Sequence, residues 1–228
     1  EEVLLNAMEL ASNVNDKKCL AYATRQLGRV YEFQGKFGKA LSEFQKSYEI
    51  YDTIGNIEGL ARTDMDIGFA LSRNNNPDQA IEHLNKAMEK FDKIDDRTGI
   101  GECLSYLGLV YKDKGDFNKS EEYHLKALEN LMSTSKLNLE SIAITKSNLG
   151  VVKRLKNDYK DAELYHKDAL QFYKKGSDLR AQSREYSNLG VIYRRQKKYE
   201  EAIVMHEKAL ELEEETLNEK GKAIQLSN

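Results

Sequence analysis

The sequence predicts an all-α chain of antiparallel helical hairpins stacked as a solenoid. A Leu-Gly or Ile-Gly pair recurs along the chain at a nearly constant period, which is typical of repeat architectures. Pro77 is the only proline among 228 residues, and 32 % of the residues are charged. Because proline ends helices and Leu, Ala, Glu and Lys favour them, this composition predicts long helices rather than strands.

The recurring pair defines the register of the repeats. It stands at Leu27-Gly28, Ile67-Gly68, Leu107-Gly108, Leu149-Gly150 and Leu189-Gly190, which gives steps of 40, 40, 42 and 40 residues. A glycine inside a helix costs about 1 kcal/mol relative to alanine. Five glycines within a helical pattern therefore indicate that another helix must approach the backbone there. We expect the small residues of the partner helix to make that approach.

Each repeat is predicted to contain a helix A with the glycine pair and a following helix B. Seven residues after each glycine stands a residue that closes helix A in the left-handed conformation: Gly35, Asn75, Gly115, Asn157 and, as the exception to Gly or Asn, Lys197. Helix B then begins at an aromatic residue or proline: Phe37, Pro77, Phe117, Tyr159 and Tyr199. Its first small column is Ala40, Ala80, Ser120, Ala162 and Ala202, and its second is Ser47, Ala87, Ala127, Ala169 and Ala209.

The pattern predicts one solenoid domain over residues 1–228, cut at both ends through a repeat. The five complete repeats are 17–56, 57–96, 97–137, 138–178 and 179–217. Residues 1–16 are predicted to end a truncated repeat, because Ala7-Met8 matches Ala87-Met88. Residues 218–228 are predicted to start another, because they end in the Ser-Asn pair that precedes Leu-Gly in the two repeats before. We therefore expect a slice of a longer protein.

Composition excludes several classes of function. The formal net charge of −3 provides no basic field for binding nucleic acid. No apolar run reaches the ~20 residues that a membrane-spanning helix needs, so membrane insertion is not expected. Cys19 and Cys103 are two repeats apart, which suits neither a disulfide nor a metal site, and we expect both thiols to be buried on helix A. A reduced, cytoplasmic protein follows as the prediction.

The histidines and glycines give no sign of catalysis. One helix-B column holds Phe44, Leu84, His124, His166 and His206. Because histidines replace Phe and Leu in this column, we expect them to be packed between helices and hydrogen-bonded. Adjacent helices lie ~10 Å apart, too far for a shared metal ion. The repeat accounts for every glycine that a phosphate-binding loop could use, so no cofactor, metal or enzymatic activity is predicted.

These columns resemble the tetratricopeptide repeat, and the 40-residue period resembles the Pins family of spindle-orientation adaptors. The likeness rests on Ser147-Asn148-Leu149-Gly150 and on Tyr165-His166. The 42-residue step is similar to kinesin light chains, whose Gly-Lys-Asp-His-Pro linker is absent here. The resemblance implies a right-handed superhelix whose A helices line a concave groove. It also implies a scaffold or adaptor that binds a peptide or helical segment of a partner protein.

We predict a peptide groove from the helix-A positions around each glycine pair. Its residues are Arg25, Arg29, Arg62, Asp66, Phe69, Arg73, Tyr106, Leu109, Lys112, Asn148, Val151, Arg154, Arg184, Asn188, Val191, Arg194 and Arg195. Asn148 and Asn188 share a column, and a row of amides can hold an extended peptide backbone by donating and accepting hydrogen bonds. The alternative is that each amide bonds within its own hairpin. Arg25 and Arg29 stand where the chaperone-tail clamp has Lys and Asn, which argues against that ligand.

The groove combines an apolar floor with a cationic edge in its C-terminal half. Arg154, Arg194 and Arg195 form this edge, and helix-dipole compensation is the alternative explanation for them. Lys153 replaces a tyrosine column, so repeat four either packs more loosely or offers a charge to a ligand. An acidic protein or peptide with apolar anchors is the favoured partner. The rival functions are a peptide-sensing module of a regulator, as in Rap-type proteins, and a structural spacer in a cytoskeletal assembly.

Overall fold

The computed structural model describes residues 2–135 and 137–216, and these residues form eleven α-helices and no strand. The helices are α1 (Glu2–Asn13), α2 (Lys17–Phe33), α3 (Phe37–Thr53), α4 (Ile57–Arg73), α5 (Pro77–Lys93), α6 (Arg97–Asp113), α7 (Phe117–Met132), α8 (Leu139–Leu155), α9 (Tyr159–Lys175), α10 (Leu179–Arg195) and α11 (Tyr199–Glu215). The prediction of an all-α fold is confirmed. The predicted repeat at 218–228 lies outside the described residues.

The chain divides into two compact units, of which the first ends at Lys114 and the second begins at Gly115. In the first unit α2 packs against α3 and α4 against α5, and α2, α4 and α6 are neighbours in that order. In the second unit α8 packs against α9 and α10 against α11, while α8 also contacts α10. Helices α2, α4, α6, α8 and α10 are the predicted A helices. The residue bounds of the five repeats stay a prediction.

An acidic or amide residue caps the start of every A helix. The side chain of Asp16 accepts a hydrogen bond from the Cys19 amide at 2.9 Å, and Asn56 accepts one from the Gly59 amide at 2.8 Å. The same bond recurs in α6, α8 and α10, where the caps are Asp96, Asn138 and Asp178. Such a cap satisfies one of the free amide groups in the first helical turn. This column, twelve residues before each glycine of the pair, was missed in the sequence prediction.

The turns between helices A and B adopt the predicted left-handed conformation. The backbone φ is 72° at Gly35, 60° at Asn75 and 64° at Asn157. It is also 63° at Lys197, which has neither the freedom of glycine nor the short polar side chain of asparagine. The prediction of a helix-closing residue at all of these positions is confirmed, including the exceptional lysine.

The glycine column makes room for a large side chain rather than for the small residues of helix B alone. A Cβ atom at Gly28 would lie 2.6 Å from the ring atoms Cδ1 and Cε1 of Phe44 and 3.2 Å from the carbonyl oxygen of Ala40. At Gly150 it would lie 2.7 Å from Nε2 of His166. The predicted close approach is correct. Its main partner, however, is the column of Phe44 and the histidines, which stacks directly on the glycine backbone.

Burial of the other columns agrees with the sequence prediction, with one exception. The small column beginning at Ala40 and the one beginning at Ser47 are fully or almost fully buried, as are His124 and His166. Cys103 is buried too, and its burial raises the pKa of the thiol. Cys19, in the first turn of α2, is exposed. The prediction of two buried thiols is therefore wrong for Cys19.

Candidate functional site

The candidate site consists of the A-helix side chains around the glycine pairs, most of which each unit leaves partly or fully open. The first A face, on α2, α4 and α6, comprises Arg25, Arg29, Glu32, Arg62, Asp66, Phe69, Arg73, Glu102, Tyr106, Leu109 and Lys112. The second A face, on α8 and α10, comprises Asn148, Val151, Arg154, Arg184, Asn188, Val191, Arg194 and Arg195. The structure thus places the predicted groove residues on A helices of both units.

Two charges of the first A face neutralise each other. Arg25 on α2 and Asp66 on α4 are each only 8 % exposed, and Arg25 Nε lies 3.6 Å from Asp66 Oδ2. This distance is too long for a hydrogen bond, so the contact is an ion pair. Burial raises the pKa of Asp66 to about 6, although the nearby Arg25, Arg29 and Arg62 oppose the rise. The pair joins two neighbouring A helices and leaves little charge for a ligand.

Arg62 is also occupied within the first unit. Its Nε lies 3.0 Å from Glu58 Oε1, and its Nη2 lies 3.3 Å from Asp96 Oδ2. Its Nη1 is 4.0 Å from Glu102 Oε2 on α6. Lys112 likewise pairs with its neighbour Asp113 at 2.9 Å. Among the cations of this face, Arg29 and Arg73 are the exposed ones that form no ion pair with a described residue.

The first A face has an aromatic floor. The ring centroids of Phe69 on α4 and Tyr106 on α6 lie 4.9 Å apart with the planes tilted by 44°. Both side chains are half-buried, and so is Leu109 one helical turn along α6. Burial raises the pKa of the Tyr106 phenol, and the carboxylates of Asp66, Glu102 and Glu32 add to the rise. An apolar group of a partner could rest on these rings while the phenol remains a hydrogen-bond donor.

Glu32, on the first A face, gains or loses its proton near neutral pH. Its carboxyl group on α2 is half-buried, and this burial together with the Asp66 carboxylate raises its pKa from 4.5 to about 7. Arg29 and Arg73 oppose the rise. Glu32 lies one helical turn beyond the glycine pair, on the same side of α2 as Arg29. Its column is one of those from which the sequence predicts the groove.

We expect Glu32→Gln to flatten the pH dependence of stability. The pKa of Glu32 is about 7 in the folded protein, whereas an unperturbed glutamate, as in the unfolded chain, has a pKa of 4.5. Between these two pH values the folded state therefore retains a proton that the unfolded chain has released. The free energy of unfolding therefore falls as pH rises from about 4.5 to 7. Asp66 contributes with the same sign at lower pH, because its pKa rises from 3.8 to about 6.

The measurement is urea unfolding of the wild type and the variant at several pH values across that window. Glu207→Gln makes the same chemical change on an exposed residue of α11 and serves as the control. An unchanged slope in Glu32→Gln would show that Glu32 is not the group that binds the proton.

The second A face repeats one triplet of side chains on two helices. Asn148, Val151 and Arg154 follow at intervals of three residues on α8, and Asn188, Val191 and Arg194 do the same on α10. Residues three apart are neighbours on the helix surface, so each helix presents an amide, an apolar group and a guanidinium in the same order over an arc of about 120°. Both asparagines and both valines are half-buried. Neither asparagine side chain bonds to a residue in the described ranges.

Arg154, Arg194 and Arg195 of the second A face have no negative partner among the described residues. Arg154 Nε is buried without a hydrogen-bond acceptor, and Arg194 and Arg195 are exposed. Ion pairs on α8 and α10 use Lys146, Lys153 and Arg184, and within residues 137–216 none uses the other three arginines. Burial and the neighbouring charge of Arg195 lower the pKa of Arg154. A desolvated guanidinium beside a second one is a place where a bound anion would lower the energy.

Arg184 is exposed but pairs with a buried carboxylate instead of standing free. Glu185 on α10 is 0 % exposed, and its carboxylate accepts hydrogen bonds from Ser147 Oγ on α8 at 2.7 Å and from Arg184 Nε at 3.1 Å. Its other oxygen lies 2.7 Å from Nδ1 of His166 on α9. These donors hold the pKa of Glu185 below its usual value, although burial alone would raise it. The expected hydrogen bond of a packed histidine is confirmed for His166, and Glu185 itself was missed.

Lys153 does not present its charge to a ligand. Its Nζ lies 2.9 Å from Glu121 on α7, 3.2 Å from Asp158 and 3.2 Å from Asp161. Lys156 also contacts Glu121, at 2.6 Å. The lysine therefore replaces a tyrosine of other repeats by joining three carboxylates across α7, α8 and α9. The expectation of a free charge at this position is wrong, and the looser packing of repeat four stays a prediction.

Neither a metal site nor a membrane span is present in the described part of the chain. No group of three or more His, Cys, Asp or Glu side chains in residues 2–135 and 137–216 is arranged to hold a metal ion. None of the described helices has the length and the apolar character to cross a bilayer.

Models of a known protein family match the repeats of this chain. Models described as tetratricopeptide repeat match residues 59–133, 106–175 and 183–215. A curated relative, tetratricopeptide repeat protein 29 of Trypanosoma brucei brucei (strain 927/4 GUTat10.1), is 27 % identical over 117 residues. The match covers 51 % of this chain and 24 % of that protein. This chain therefore spans about a quarter of its relative.

Solved structures share the fold at low sequence identity. BtubC (BKLC) from P. vanneervenii is 19 % identical with a TM-score of 0.77, over 95 % of this chain and 91 % of its own. A Rap protein complexed with Competence and Sporulation Factor is 17 % identical with a TM-score of 0.79, over 90 % of this chain and 57 % of its own. The quorum sensor NprR from B. thuringiensis is 18 % identical with a TM-score of 0.75, over 96 % of this chain and 62 % of its own. These likenesses show a shared fold, and the family models, which match more than half of the chain, show that it belongs to the tetratricopeptide repeat family.

Proposed function

We propose that this chain is a protein-interaction module that binds an extended segment of a partner protein on its A helices. The observation that carries the proposal is the second A face, where Asn148 and Asn188 present open amides above Val151 and Val191. Amides can bond to the backbone of any peptide, and the valines offer apolar contact to its side chains. The arginines of the same face favour an acidic partner. Binding rather than catalysis is the role we infer.

The structural neighbours support a peptide as the ligand. The Rap neighbour is complexed with Competence and Sporulation Factor, and NprR has been solved in complex with its cognate peptide NprX. These likenesses favour a second candidate, a peptide-sensing module of a longer regulator. The specific likeness to Pins-type adaptors stays a prediction, as does the cytoplasmic location, which rests on the free thiols of Cys19 and Cys103.

A peptide selection tests the proposal. The immobilised 228-residue chain is screened against a phage-displayed library of random 12-residue peptides, and enriched peptides are measured by isothermal titration calorimetry. We expect the double variant Asn148→Ala, Asn188→Ala to weaken binding by about tenfold or more, because each amide loses one or two hydrogen bonds to the peptide backbone. Asn118→Ala, at an exposed asparagine of α7, is the matched control.

Two results would contradict the proposal. One is the absence of enrichment over resin without protein. The other is an enriched peptide whose affinity is unchanged in the double variant. A change in the radius of gyration on adding the selected peptide, measured by small-angle X-ray scattering, would favour the sensing module over a static adaptor.

A further inference from the structure

The spacing of the second A face restricts the conformation of the segment that it can bind. The face has three rows across α8 and α10, formed by Asn148 with Asn188, by Val151 with Val191, and by Arg154 with Arg194 and Arg195. Within a helix, six residues separate the amide row from the arginine row, which is about 9 Å at 1.5 Å per residue. Helices α8 and α10 contact each other directly, and the axes of helices in contact lie roughly 8–10 Å apart, which sets the step of each row.

In a peptide that lies along the amide row, the distance between side chains that point in the same direction must equal the step from α8 to α10. In a β-strand, side chains on the same side are two residues apart, and two residues span only about 6.7 Å while four span about 13 Å. In a polyproline II helix, side chains repeat their direction every three residues, and three residues span about 9.3 Å. The polyproline II conformation therefore fits the step between α8 and α10. It also leaves every backbone amide and carbonyl free to bond to the asparagines.

The charge of the arginine row indicates that the peptide has acidic side chains at the two positions that are three residues apart. Arg154 Nε is buried without an acceptor, and neither Arg154 nor Arg195 pairs with a carboxylate among residues 137–216. Glu121, Asp158 and Asp161, the acids near the end of α8, already bind Lys153. A glutamate side chain that reaches from the amide row across the valine row can meet an extended arginine side chain. A carboxylate placed there relieves the repulsion between the two guanidinium groups and provides the missing acceptor.

We propose that the second A face recognises a polyproline II segment with two acidic residues three positions apart, Glu-x-x-Glu or Asp-x-x-Asp. The first acid binds Arg154 and the second binds Arg195, while Asn148 and Asn188 hold the backbone between them. This inference rests on the proposed function and adds the spacing, the charge and the conformation of the partner.

The test measures the binding of fluorescein-labelled 12-residue peptides to the full chain by fluorescence anisotropy, and the peptides that differ only in spacing have identical composition. Two glutamates are placed two, three or four residues apart, and a fourth peptide has glutamine at both positions of the three-residue spacing. We expect the three-residue spacing to bind about tenfold more tightly than the other peptides, since one charged hydrogen bond is worth about that factor. Proline just before the first glutamate and just after the second should tighten binding further by restricting the free peptide to the bound conformation, while the backbone N–H groups between the two acids remain.

A charge exchange separates specific contact from general attraction. The double variant Arg154→Glu, Arg195→Glu should reject the acidic peptide and bind its counterpart with lysines at the same spacing. Arg180→Glu reverses an exposed charge in the first turn of α10, at the other end of that helix, and should leave the preference for the three-residue spacing unchanged. Circular dichroism melting curves confirm that each variant is folded before it is compared.

Three outcomes would overturn the inference. They are equal affinities for all spacings, an effect of Arg180→Glu as large as that of the double variant, and no binding by any of the designed peptides. If the glutamine peptide bound as well as the acidic ones and lost affinity in Asn148→Ala, Asn188→Ala, the acidic motif would be wrong while the proposed function would stand. Failure of the random-library selection would instead contradict the proposed function itself.

Discussion

Glu185→Ala is expected to lower the free energy of unfolding by about 3–5 kcal/mol. The carboxylate is 0 % exposed and binds Ser147, His166 and Arg184. Its removal leaves the buried donors of Ser147 and His166 without an acceptor, in a space from which water is excluded. Urea unfolding followed by circular dichroism measures the loss. Glu207→Ala, on the exposed side of α11, provides the control and should change stability by less than about 0.5 kcal/mol.

The same carboxylate should make the protein sensitive to acid. Because the pKa of Glu185 is held below 4.5 in the folded state, its stabilising contribution is present above that pH and is lost as the pH falls through the lower folded value. Glu185→Gln keeps the size of the side chain and removes the ionisation, so its stability should vary less below pH 4.5 than that of the wild type. A loss below about 1 kcal/mol in Glu185→Ala, or an unaltered acid profile in Glu185→Gln, would contradict this account of the network.

Alanine at two glycines of the first repeat should have effects of opposite sign. Gly28→Ala places a Cβ 2.6 Å from the Phe44 ring, which is 0 % exposed and cannot move freely. We expect a loss of about 1–3 kcal/mol from overpacking, net of the gain in helix propensity. Gly38 also lies inside a helix but has no atom within 4 Å of the Cβ position. Gly38→Ala should therefore gain up to about 1 kcal/mol.

A double variant shows whether the ring is the cause. Phe44→Ala alone should cost about 3–5 kcal/mol through the cavity that it leaves. In the double variant Gly28→Ala, Phe44→Ala, the added methyl group enters this cavity. The double variant should therefore lose about 0.5–3 kcal/mol less stability than the sum of the two single losses. Additive losses in urea unfolding would show that Gly28→Ala acts elsewhere than on Phe44.

The repeat columns could be predicted because each depends on local chemistry that recurs five times. The left-handed turn at Lys197 illustrates this, since its position in the repeat identified it although its residue type did not. The burial of His166 followed in the same way from its column with Phe44 and Leu84. The recurring columns therefore reveal the backbone geometry that all repeats have in common.

The features that could not be predicted occur in one repeat and depend on contacts between helices distant in sequence. Lys153 gave a visible break in its column, but only the structure shows that Glu121 on the preceding B helix binds it. Arg25 and Asp66 were both assigned to the groove, whereas their ion pair closes that part of the first A face. In each case two charges meet across neighbouring repeats, and the 40-residue pattern contains no information about which pairs will form.

The positions that build the hairpins and the positions that face a partner are different ones. Caps such as Asp16, turns such as Lys197 and packing glycines such as Gly28 lie outside the rows of the second A face. Changes in those rows therefore carry little penalty for folding, so natural variation can alter the ligand while the scaffold persists. For protein engineering the consequence is practical. New specificity can be introduced at the asparagine, valine and arginine positions of these rows, and the rest of each repeat can be kept as a constant frame.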